Sequence, residues 1–129
     1  MRALTIRQPM AHAIAHLGKN LENRSRVAKS LVGQVIAIHA GAAWDDGHAE
    51  RVEQSCGVRV ERSDVTHGAV IATARIARVL EHSDSPWWIG PLALELEDVR
   101  PLVAPIPAKG ALGYWHLTDE QERDVRAQI

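Results

Sequence analysis

The chain has 129 residues, 46% of them hydrophobic and 24% charged, with a formal net charge of −1. That is the size of one domain around one core, an ordinary globular balance, and no global attraction for polyanions. No apolar run approaches the roughly 20 residues of a membrane span. The lone Cys56 excludes an internal disulfide or a cysteine-cluster metal site. The opening MRALTIRQPM lacks the apolar core of a signal peptide, so an intracellular, cytoplasmic protein is expected.

In chain order, residues 3–6 are a short apolar strand candidate. Gln8-Pro9 follows, and proline suits the first turn of a helix. Met10, Ala11, Ala13, Ile14, Ala15 and Leu17 make one apolar face, so the pattern predicts a helix over about 9–17, capped by Gly18. Beyond it the period becomes two. Leu21, Asn23, Ser25 and Val27 point one way, and Glu22, Arg24 and Arg26 the other.

Residues 34–40 are apolar on both faces, as a central or barrel strand would be. A helix is predicted over about 46–56, and then an irregular connection. Residues 68–80 read as a strong strand and 92–97 as an alternating one with Leu92, Leu94 and Leu96 inward. Pro101, Pro105 and Pro107 mark a loop. A last short strand over 114–117 leads to Thr118, and Gln121 three residues later completes a capping box for a C-terminal helix. Five or six strands with two or three helices predict an α+β fold, a small mixed β-barrel with helices at its ends.

Charge is unevenly spread. Residues 1–30 carry Arg2, Arg7, Lys19, Arg24, Arg26 and Lys29 against Glu22 alone, a net of +5, and the rest of the chain is at −6. The asymmetry points to a local anion site, with nucleic acid the first candidate. Lys19 and Arg24 are candidates for phosphate or carboxylate contacts. Arg7 and Gln8 stand just before a helix start, which favours anions, and Gln8 alternatively caps the helix. Glu22 is unsuited to a plain phosphate clamp. Three roles stay open for it: an ion pair fixing Lys19 or Arg24, a hydrogen-bond acceptor for the amino group of cytosine or adenine, or a general base beside Lys19.

Four tryptophans must serve a chain with no phenylalanine. Trp44, Trp87 and Trp88 are candidates for stacking on a base, and Trp115 for filling the core. His12 and His16 have the i, i+4 spacing of a helical chelate but read as exposed helix residues. No metal or cofactor is expected.

LTIRQPMAHAIAHLGKNLENR (4–24) resembles the N-terminal signature of the ASCH (activating signal cointegrator homology) family, an L-[ST]-I-x-Q-P-W-A opening followed by G-[x]-K-x-x-E-x-R. The similarity continues through GQVIAIHAG (33–41), GAVIATARI (68–76), WWIGPLALELEDVRPL (87–102) and PIPAKGALGYWHL (105–117), nearly the whole chain in order. Met10 stands where the signature has tryptophan, and Arg26 where near relatives often have it.

The resemblance implies a single PUA-like domain over 1–129, a pseudo-barrel with the motif residues lining a cleft beside it. It implies a module binding RNA or single-stranded nucleic acid, and together with the charge and stacking candidates the expected contact set is Arg7, Gln8, Lys19, Glu22, Arg24, Arg26, Trp44, Trp87 and Trp88. Some relatives are instead amidohydrolases acting on acylated cytidine through the motif lysine, a threonine and a glutamate. Lys19 matches that lysine, but Glu22 stands at the threonine position. A hydrolase of a modified nucleoside or of RNA, with Lys19 and Glu22 catalytic and a histidine such as His39 assisting, is the alternative. The oligomeric state is left open.

Overall fold

The structure, a computed structural model, describes residues 1–129. Six strands form one sheet: β1 (Arg2–Gln8), β2 (Leu21–Arg24), β3 (Val35–Trp44), β4 (Ala69–Leu80), β5 (Leu92–Pro107) and β6 (Tyr114–His116). Three α-helices accompany it: α1 (Met10–His16), α2 (Asp46–Cys56) and α3 (Asp119–Arg126). The strand order is β2-β5-β4-β3-β1-β6. β1 and β3 run parallel, and every other pair is antiparallel. No helix is long and apolar enough to cross a membrane.

Local chemistry explains most of the boundaries. α1 buries Met10, Ala11, Ala13, Ile14 and Ala15. Gly18, at φ +75°, takes the left-handed conformation after its last turn, and Lys19 N donates back to Ala13 O at 3.1 Å. That reversal aims the next residue inward. α2 is capped by Asp45, whose side chain accepts from His48 N. α3 has the expected capping box between Thr118 and Gln121.

The expected closed barrel is not formed. β2 and β6 lie at opposite edges of the sheet, and no backbone pairing joins them. With four and three residues, these strands are short, and each already spends its pairing on one neighbour, β5 or β1. Side chains meet where a ladder would close the ring. The Arg24 guanidinium on β2 lies over the Tyr114 ring on β6, 5.9 Å from its centroid, within cation–π range.

A second difference concerns the prolines. Pro101, Pro105 and Pro107 lie inside β5, which runs for 16 residues. β2 pairs with β5 only from Leu92 to Glu95, so the later stretch has β4 as its only strand neighbour, and the Gln128 amide hydrogen-bonds Ala104 N and O there. A missing N–H on the unpaired side removes no ladder bond. Irregular register with β4 and a positive φ at Asp98 accommodate the remainder.

Asn23, between Glu22 and Arg24, faces the other side of β2. Its Nδ2 donates to Trp87 O at 3.0 Å, and its Oδ1 accepts from Ile89 N and Gly90 N at 2.9 and 3.0 Å. One side chain thus fastens the 87–90 loop to β2. Asn23→Ala should lower the free energy of unfolding by about 2–4 kcal/mol, measured by urea denaturation with tryptophan fluorescence. Unchanged stability would show that the loop is held by other contacts.

Candidate functional site at the open margin of the sheet

Glu22 and Arg24 are two residues apart on β2 and share its face, as the alternation predicts. Lys19 approaches from the turn after α1. It is 2% exposed. Its Nζ donates to Leu21 O and stands 3.9 Å from Glu22 Oε2. Burial pushes the Lys19 ammonium below its ordinary pKa, and the Glu22 carboxylate opposes that shift. Glu22 Oε2 is itself buried and has no hydrogen-bond partner.

Tyr114 completes the group. Its hydroxyl is also buried without a partner. Burial raises the pKa of the phenol, Arg24 opposes the shift, and Glu22 adds to it. Lys19, Glu22, Arg24 and Tyr114 are therefore one electrostatic cluster, drawn from the α1–β2 turn, one edge strand and the opposite edge strand. A carboxylate oxygen and a hydroxyl, both buried and both without a hydrogen-bond partner, mark a site that can still form hydrogen bonds.

The remaining candidates lie differently. Arg26 follows the end of β2 and is exposed, as is Lys29. Arg7 is exposed and stands 3.8 Å from Asp45. Gln8 is fully buried: its Nε2 donates to Thr66 O at 2.7 Å, and its Oε1 accepts from His12 N at 2.9 Å. Trp87 is 5% exposed and packs in the core. Trp88 is half-buried, and its carbonyl accepts from the Arg51 guanidinium at 2.7 Å.

Trp44 is half-buried and lines an open cleft of about 760 Å³ with Asp46, Glu50, Glu53, Arg59 and Glu61. The Trp44 indole donates to Asp46 Oδ1 at 2.8 Å. That cleft is rich in carboxylates and includes none of the Lys19 cluster. His39 is buried, with Nε2 2.7 Å from Ala108 O and its ring edge-on to Trp115. No three His, Cys, Asp or Glu side chains form a ready-made metal cage.

Tyr114 had no signal in the sequence. It is the chain's only tyrosine and lies 90 positions from Arg24, so only the fold makes them neighbours. Being unique, it also reports on the cluster without interference from another phenol. Its raised pKa means that its neutral form supports folding fully below about pH 10, the unfolded value. This support is lost as pH rises through the higher folded value. Tyrosinate absorbance should therefore appear above the ordinary range. Arg24→Gln should move it higher and Glu22→Gln lower. An unshifted titration in the wild type would contradict the packing of this margin.

No family model matches the sequence, and no curated protein matches it. Solved structures do. The crystal structure of ASCH from Zymomonas mobilis is similar at a TM-score of 0.65 and 13% identity, over 98% of this chain and 93% of that one. Two mutant proteins of the same ASCH, each with one substitution, reach 0.62 at 15% and 14% identity. Both matches cover 98% of this chain, with 94% and 96% of theirs. At such identity the likeness speaks for the fold, and it runs from end to end. The chain has the ASCH fold, the architecture that its N-terminal motif resembles.

Proposed function

We propose that the chain binds single-stranded nucleic acid, RNA foremost, along the open margin between β2 and β6. The observation that carries this reading is the placement on one face of β2 of Arg24 beside a Glu22 whose Oε2, 3.9 Å from the Lys19 ammonium, has no hydrogen-bond partner. The ASCH fold, in a family where nucleic-acid binding is common, supports it.

The roles follow from exposure and chemistry. Arg26 and Lys29 follow β2 in the chain as exposed cations and suit backbone phosphates. Arg24 is half-buried and suits a phosphate or a base edge. Glu22 suits the exocyclic amino group of cytosine or adenine, since a carboxylate only accepts. Lys19, sealed from solvent, positions Glu22 and makes no contact with the nucleic-acid backbone.

Labelled single-stranded RNA and DNA of matched sequence, followed by fluorescence anisotropy, test this directly. Affinity should fall steeply between about 50 and 200 mM salt. Arg26→Ala should reduce the salt slope by about 1. Arg24→Ala should weaken binding by about tenfold or more. Salt-insensitive binding, or an Arg24→Ala/Arg26→Ala double variant that binds like wild type, overturns the proposal.

A second reading, a hydrolase of a modified nucleoside or of RNA, is favoured by one observation. The Lys19 amine has its pKa lowered by burial and stands beside Glu22, which suits a general base or nucleophile. Incubation with acylated cytidines and short RNAs should then give turnover that Glu22→Gln abolishes. No turnover ends this reading and leaves the binding proposal standing.

A further inference from the structure

α1 carries two imidazoles one turn apart, His12 and His16. Their ring centroids are 4.9 Å apart, and their planes are inclined at 48°. His39 and His67 hydrogen-bond backbone carbonyls through their rings. The rings of His12 and His16 make no hydrogen bond to the protein, so their nitrogen lone pairs are uncommitted. His12, half-buried rather than exposed as expected, and His16, which is exposed, both line a cavity of about 130 Å³ with Gln8, Asp64 and Thr66. Asp64 Oδ2 accepts from Glu61 N at 2.9 Å, and its negative charge acts on His12.

These dimensions suit a chelate. A first-row divalent ion sits about 2.0–2.1 Å from an imidazole nitrogen. Two rings on one tetrahedral ion then have centroids about 5 Å apart by the same bond length. The observed separation needs little rearrangement. Histidines at i and i+4 on a helix place both nitrogens on one side, and imidazole suits zinc, nickel and copper. The cavity leaves room for bound water in the remaining coordination positions.

We propose that His12 and His16 form a two-imidazole site for a divalent first-row transition cation, with Asp64 across the cavity supplying negative charge and waters filling the other positions. The site is independent of the nucleic-acid reading and shares none of its residues. An occupied site ties α1 to the 62–66 segment, which Gln8 already holds through Thr66.

Titration calorimetry with Zn²⁺, Ni²⁺ and Cu²⁺ at neutral pH tests it, using the full chain. One ion per chain is expected, Cu²⁺ most tightly by the usual affinity order. Affinity should fall at pH 5, where protons compete for the imidazoles. His12→Gln and His16→Gln should each weaken binding by about tenfold or more, and Asp64→Asn by a similar factor. The thermal midpoint should rise with metal in the wild type and not in His16→Gln, a surface change that leaves the core intact. Absence of binding, or binding unchanged in both histidine variants because the ion occupies one of the other five histidines, overturns the proposal.

Discussion

A buried ammonium organises the margin between β2 and β6. Lys19 is removed from water by the turn at Gly18, and its charge has two partners, Leu21 O and Glu22. At an effective dielectric of about 20, unit charges about 4 Å apart attract by about 4 kcal/mol. Burial costs several kcal/mol per ion. The two terms are of the same order, so the pair adds little net stability. Its effect is directional. Glu22 is held with one oxygen towards Lys19, and that fixes what the neighbouring Arg24 and Tyr114 experience.

The open sheet gives this cluster its place. A closed barrel would have used the outer backbone groups of β2 and β6 in a ladder. In the open sheet, edge strands far apart in hydrogen-bond order are linked by a guanidinium resting on a phenol ring. Side-chain contacts of this kind can yield to a ligand at far lower cost than a strand pair. The same margin therefore bounds the fold and leaves polar groups unfilled.

Local signals in the sequence were legible where one segment decides its own structure. Gly18 ends α1, Thr118 and Gln121 cap α3, and the period of two from Leu21 puts Glu22 and Arg24 on one face. Signals that depend on distant neighbours were not. Closure of the sheet is decided by pairing between strands some 90 residues apart, and Tyr114 gains its meaning only from Arg24. The prolines of β5 read as a loop because the sequence does not say which of its sides lacks a neighbour. The cationic character of residues 1–30 survives folding only in part. Lys19 and Arg24 gather at the margin, while Arg7 stands by Asp45.

β2 is four residues long, yet both of its faces carry assignments: Asn23 holds the 87–90 loop on one, and Glu22 and Arg24 serve the cluster on the other. Sliding it by one position against β5 would exchange those faces. The loop would then receive two charged side chains, and the cluster an amide. A misaligned molecule thus loses its fastening and its chemistry together, leaving no half-working intermediate. An inserted or deleted residue within this strand is consequently far less tolerable than one in the turns on either side.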